Sequence, residues 1–150
     1  LAIATEDLGA QFDPSNDPDE PAGLVLIGRE RGAALRCAPP HNKPTPQELR
    51  NCFPYVVEEF DALARLRVAI GLGSIGFAAI LKALRERGFT FDSKAPKFAH
   101  AAEATASNAT REIVVLASYH PSRQNTNTGV LTVPMFDAIF TRARAILDRG

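Results

Sequence analysis

Residues 67–88 read RVAIGLGSIGFAAILKALRERG, and this stretch decides the fold. Val68, Ala69, Ile70 and Leu72 form an apolar run without alternation, the pattern of a strand covered on both faces. A glycine turn follows, after which Ser74 is expected to cap a helix that runs through Leu84 and stops at Gly88. Strand, tight turn and helix are the building unit of a parallel α/β sheet.

Toward the C-terminus, residues 89–110 are mixed and interrupted by proline, so no element is expected there. EIVVLAS (112–118) is a second buried strand and runs straight into the polar loop SYHPSRQNTNTG (118–129). Thr132 caps a last helix, with Met135, Phe136, Ile139, Phe140, Ala143, Ile146 and Leu147 on one side. Arg142, Arg144 and Arg149 lie mostly off that side.

Toward the N-terminus, GLVLI (23–27) and AALRC (33–37) are short apolar runs that read as strands. CAPPHNKPTP then forbids regular structure until Thr45, which forms a capping box with Glu48 and has Pro46 at the first helical position. Leu49, Cys52, Phe53, Val56, Phe60 and Leu63 recur at helical spacing and predict one helix over residues 46–65. Residues 11–23, QFDPSNDPDEPAG, have no periodic face and read as an exposed loop.

The fold expected from this order is a three-layer α/β/α sandwich around a parallel four-stranded sheet, with one N-terminal edge strand missing. Its active face is built from the loops after AALRC, VAIGL and EIVVLAS, because ligands meet such sheets at the carboxyl ends of the strands. At 150 residues the chain has the size of one domain, expected to span 1–150 with residues 1–22 a loop or remnant. The first residue is Leu1, and LAIATEDLGA reads as the end of a helix with no strand before it, as in a fragment of a longer protein.

The 17 basic and 17 acidic side chains cancel, so the total charge names no partner. Glu6, Asp7, Asp13, Asp17, Asp19 and Glu20 occur without a basic neighbour, however, which leaves the rest of the chain net basic and able to present a DNA-facing patch. No run approaches the roughly 18 apolar residues of a membrane span, and no signal layout opens the chain; a cytoplasmic location is expected.

Two loops carry the chemistry. His120, Pro121, Ser122, Arg123, Gln124, Asn125 and Thr126 crowd polar and turn-forming side chains directly after a core strand. Taken alone they read either as a Pro-Ser turn whose side chains cap backbone groups, or as a surface that holds a phosphate-bearing ligand. Cys37 and Cys52 neither make a disulfide framework nor complete a tetrahedral metal site, and by spacing alone are two reduced thiols. Asn42 offers a donor and an acceptor, fit for a pyrimidine edge or for a turn. His41 has no second histidine at metal spacing and reads as surface. His100 and Glu103, behind Lys94 and Lys97, read equally as a contact to a nucleic-acid backbone and as a solvated basic loop, and are assigned no role.

SYHPSRQNTNTGVLT (118–132) resembles the second motif of uracil-DNA glycosylases, most closely that of the iron-sulfur branch called family 5, or type b. RCAPPHNKPTPQELRNC (36–52) resembles that branch's segment with the third and fourth cluster cysteines, VAIGLGSIGF (68–77) its central strand and turn, and KFAHAAE (97–103) a further match. The resemblance covers residues 23–149 in order.

The resemblance implies a hydrolase that cleaves the bond between uracil, or another deaminated base, and deoxyribose, initiating base-excision repair. His120 takes the position of the donor that stabilises the departing base, and Asn125 reaches the lesion site or the minor groove. Pro121, Ser122, Arg123, Gln124 and Thr126 contact the DNA backbone, and Asn42 the pyrimidine edge. Cys37 and Cys52 are implied as two of the four thiolates of a [4Fe-4S] cluster. A monomer acting on DNA is the implied working form.

The sequence departs from the family in four places. The glycine-rich loop of the first catalytic motif has no counterpart in these residues, and there is no third or fourth cysteine. Asn127 stands where the family has an aromatic residue, and Val130 where it has a basic one. These departures motivate an alternative expectation beside the glycosylase, a truncated non-catalytic relative that binds DNA or is inactive.

Overall fold

The computed structural model describes residues 24–27, 45–93 and 96–149. In chain order these form β1 (Leu24–Ile27), α1 (Pro46–Ala62), β2 (Val68–Leu72), α2 (Gly73–Glu86), β3 (Thr90–Phe91), β4 (Glu103–Ser107), β5 (Glu112–Ser118), α3 (Arg123–Asn127) and α4 (Val133–Asp148). The strands make one sheet in the order β1-β2-β5-β4-β3.

β2 is the strand its sequence promised: all five residues are buried. Their side chains divide by parity. Val68, Ile70 and Leu72 join Leu116 of β5 and Ile139, Phe140, Ala143 and Ile146 of α4 in one core. Ala69 faces the other way, into a core with Val115 and Ala117 of β5, Val56 and Phe60 of α1, and Phe77 and Ile80 of α2. The period-two alternation of a strand thus feeds two apolar layers, and helices cover both sheet faces.

The expected purely parallel, four-stranded sheet needs correction. β1 and β5 both run parallel to β2, but β4 is antiparallel to β5 and β3 antiparallel to β4, so five described strands form a mixed sheet. β4 escaped the sequence reading because EATAS has no large apolar residue; only Ala104 and Ala106 alternate inward. The four residues between β4 and β5 admit no crossover helix, so the two strands form a hairpin. The Asn108 side chain closes the turn, accepting from the backbone N–H groups of Thr110 at 2.9 Å and Arg111 at 3.0 Å.

Helix ends follow local chemistry. The capping box at Thr45 forms, with the Glu48 carboxylate accepting the Thr45 N–H at 2.7 Å and the Thr45 hydroxyl accepting the Glu48 N–H at 3.2 Å. Thr132 caps α4 through the Met135 N–H at 3.3 Å. Two arginines at strand entrances satisfy helix C-termini: Arg67 donates to Leu147 and Ile146 at 2.9 and 3.1 Å, and Arg111 to Leu63 at 2.9 Å. Cations there complement the helix dipole as well as its last carbonyls.

α2 differs from expectation. Its N-cap is Leu72 rather than Ser74, with no side-chain capping bond, because the chain passes from β2 into the helix through Gly73 at φ +79°. AALRC, Cys37, His41 and Asn42 lie outside the described residues.

Candidate active site

The sheet delivers β2 and β5 side by side and parallel, Leu72 opposite Ser118, so both carboxyl ends open on the same edge. At that edge β2 turns into α2 and β5 runs into Tyr119 and His120. Between them is a cleft of about 220 Å³ lined by Leu72, Gly73, Ser74 and Ile75 from one side, and by Phe98, Tyr119, His120 and Asn125 from the other.

The loop after β5 is ordered by its own polar side chains. The Ser122 hydroxyl caps α3 by accepting the Asn125 N–H at 3.2 Å. The Asn125 amide donates to the His120 carbonyl at 2.9 Å, and the Ser122 N–H meets the same oxygen at 2.8 Å. Thr126 returns its hydroxyl to the Ser122 carbonyl at 3.0 Å. The far end is tied by the Leu131 N–H on the Asn125 carbonyl at 3.0 Å, and the buried Leu131 side chain is the loop's apolar anchor. Sequence reading missed both this anchor and α3, since a five-residue helix has no periodic signature.

His120 and Asn125 line one cleft, with Asn125 holding the loop's shape through the His120 carbonyl. Pro121, Arg123, Gln124 and Thr126 are exposed and face away from the core, while Ser122 is half-buried at the base of α3. Asn127 and Val130 are exposed as well. Beside His120 the cleft wall is aromatic: the Phe98 ring lies 6.2 Å from Tyr119 and 5.9 Å from Phe77, a tilted arrangement that gives a planar ligand an apolar surface. Sequence reading singled out the segment of Phe98 but not Phe98 itself.

Ser118 is fully buried, and its hydroxyl donates to the Tyr119 carbonyl at 2.9 Å. His100, assigned no role from sequence, contacts Tyr119 directly through a ring nitrogen and through its ring. Glu103 pairs with Arg142 of α4 in a bidentate contact, both bonds 2.8 Å.

A larger groove of about 460 Å³ runs between α1 and α2, lined chiefly by Leu49, Phe53, Ile75 and Ala79. It touches the first cleft only at Ser74 and Ile75 and contains neither His120 nor Asn125. Size alone would favour this groove; the polar groups converge on the smaller one.

Cys52 is a free, buried thiol in α1. Among the described residues no three His, Cys, Asp or Glu side chains come together as a metal site. Thiolates are the right donors for an iron-sulfur cluster, but two cysteines in the chain are half of an all-cysteine ligand set. Among the described residues no helix is long and apolar enough to cross a membrane.

The profile of the Uracil DNA glycosylase superfamily matches residues 31–144, a span that contains β2, α2, β4, β5 and the whole His120 loop. The type-5 uracil-DNA glycosylase of Thermus thermophilus is 40% identical over 134 residues, 88% of this chain and 58% of that protein. That of Pyrobaculum aerophilum is 37% identical over 113 residues, 75% of this chain and 45% of the relative, and that of Mycobacterium tuberculosis 39% over 115 residues, 76% and 40%. The chain thus spans about half the length of the curated relatives it matches. With its HPS loop held at the carboxyl ends of two parallel core strands, the chain belongs to the uracil DNA glycosylase superfamily.

Proposed function

We propose that this chain, a single domain, carries the DNA-facing part of a glycosylase that hydrolyses the N-glycosidic bond of uracil or other deaminated bases in DNA, initiating base-excision repair. The observation that carries the reading is the convergence of His120 and Asn125 on one cleft with the aromatic wall of Phe98 and Tyr119. A base in a duplex is out of reach of such a cleft, so the nucleotide must be extruded, at a cost of a few kcal/mol of unstacking. The aromatic wall offers the flipped base a stacking surface.

As the glycosidic bond breaks, negative charge moves onto the base and positive charge onto the sugar. A donor aimed at the base oxygen is bound more tightly in the transition state than in the ground state, and His120 is assigned that task. Asn125 fixes the backbone that aims it. Pro121, Ser122, Arg123, Gln124 and Thr126 form the exposed surface along which phosphates pass, and Asn42 reads the pyrimidine edge. Cys37 and Cys52 would supply two thiolates of a [4Fe-4S] cluster, which needs two further ligands from an upstream segment or another source. The protein works as a monomer in the cytoplasm, on the nucleoid.

The test is release of uracil from a uracil-containing oligonucleotide by the full-length protein. The expected rate falls roughly 100-fold in His120→Ala. Equal rates for wild type and variant, or no uracil release by wild type, overturn the reading. A second reading rests on the missing counterpart of the glycine-rich first motif: a relative that binds DNA with salt-dependent affinity and releases no base. The same assay, paired with a binding measurement, separates the two.

A further inference from the structure

We propose that His100 is a positioning residue that aims His120, by clamping both ends of the loop with one imidazole. Its Nδ1 accepts the backbone N–H of Tyr119, the residue immediately before His120, at 3.1 Å. Its Nε2 lies 3.2 Å from the carbonyl oxygen of Met135, in the first turn of α4 and beyond the far end of the loop. The ring also packs, tilted by 38°, against the Tyr119 ring with centroids 5.0 Å apart. The two contacts span the whole excursion from β5 to α4.

The chemistry of the two partners fixes the tautomer. A backbone N–H only donates, so Nδ1 must carry a lone pair; a carbonyl only accepts, so Nε2 must carry the proton. A neutral ring with the hydrogen on Nε2 satisfies both, and no other form does.

Strand geometry explains why a side chain is needed. The ladder between β4 and β5 ends with the Ala101 N–H on the Ala117 carbonyl and the Ala117 N–H on the Ala102 carbonyl, each at 2.9 Å. Ala101 then turns the backbone away at φ +62°. Tyr119 lies beyond that ladder, so its N–H is satisfied by His100 and its carbonyl by the Ser118 hydroxyl. The exit from the core strand is therefore held by side chains, and the direction in which His120 leaves depends on them.

α3 is tied internally through Ser122, Asn125 and Leu131 and does not contact this clamp through any of those bonds. Loss of His100 thus loosens the approach to His120 while leaving the phosphate-facing turn intact. This inference rests on the function proposed above for His120.

The test is a double-mutant cycle on single-turnover uracil excision with the full-length protein, together with hydrogen exchange at the Tyr119 amide. His100→Ala is expected to slow excision about tenfold with DNA affinity within about twofold of wild type, and to speed Tyr119 exchange. In a His120→Ala background the same change should cost no more than about twofold, because a residue that acts through His120 has nothing left to aim. His100→Asn, whose Oδ1 can accept the Tyr119 N–H, should restore most of the rate, whereas His100→Gln should not. A full tenfold penalty persisting without His120, an unchanged rate in His100→Ala, or unchanged Tyr119 exchange overturns the proposal. If His100→Ala does not fold, the contrast between Asn and Gln decides. Absence of uracil release by the wild type sinks the proposed activity alone, and Tyr119 exchange still decides whether the clamp exists.

Discussion

Gly73 lies directly against His120: a Cβ built on the glycine would stand 3.4 Å from the His120 Cβ. The glycine has φ +79°, a conformation that a residue with a side chain adopts only at a cost. The glycine is required by its φ, which turns β2 into α2 without a capping residue, and that turn packs on the histidine of the neighbouring strand's loop.

Gly73→Ala is accordingly expected to cost about 1 kcal/mol in stability from the positive φ, and, as the strained turn relaxes, to displace the His120 that packs on it; the methyl itself would make only ordinary contact. The displacement should show as a roughly tenfold slower single-turnover uracil release with little change in DNA affinity, because small misplacements at a reacting centre are expensive. A slower rate that disappears in a His120→Ala background would tie the defect to the contact.

Two residues earlier, a different glycine answers to packing. A Cβ on Gly71 would sit 2.5 Å from the Cα of Phe77, so the backbones of β2 and α2 approach each other in direct contact. Gly71→Ala must push α2 off the sheet and is expected to destabilise the fold by about 3 kcal/mol or more. Chemical denaturation should report a lower midpoint with an unchanged slope.

Why some of this was legible in the sequence and some not is a matter of which forces leave periodic traces. VAIGL and EIVVLAS announced themselves because a strand buried on both faces is apolar throughout. Thr45 and Thr132 were readable as caps because the cap bond spans only three residues. β4 was not, because its inward residues are alanines, and its pairing is fixed by the hairpin to β5 rather than by apolar content. Ser74 misled for a related reason: its residue type suits a cap, but the positive φ at Gly73 starts the helix earlier. The His120 loop was found by its polar density and by family resemblance, yet nothing in the sequence linked it to His100, 19 residues upstream of its hydrogen-bond partner Tyr119.

Ser122 has two expected tasks, capping α3 and facing phosphate, and substitutions separate them. Ser122→Ala removes the cap and should loosen α3 by about 1 kcal/mol. Ser122→Asp keeps a capping oxygen but adds a negative charge beside the DNA path. The prediction is that the aspartate variant keeps the more stable loop, by hydrogen exchange at Asn125, while binding DNA more weakly than the alanine variant.

Arg123 is exposed at the start of α3 and makes its expected contribution through charge alone. Arg123→Ala should weaken binding to DNA of any sequence to a similar extent and reduce the slope of log affinity against log salt by about 1. Titrations at several salt concentrations, with and without uracil in the oligonucleotide, check both parts. A loss confined to uracil-containing DNA would instead place Arg123 at the base.

The Arg142 guanidinium, hydrogen-bonded to both carboxylate oxygens of Glu103, holds that carboxyl below its ordinary value of 4.5. A depressed value in the folded state means that the pair stabilises the protein above the unfolded value, and that this contribution fades as pH falls through the folded one. Both side chains are more than a third exposed, so solvent screens the pair and its effect is small. The pair nonetheless ties α4, which begins at the His120 loop, to β4. Glu103→Gln should therefore lower the melting temperature slightly at neutral pH, and the gap to wild type should close as the pH drops below 4.5. Melting curves of the two proteins across that range are the measurement. A gap that stays constant or widens on acidification would show that the Glu103 charge does not stabilise the fold through Arg142.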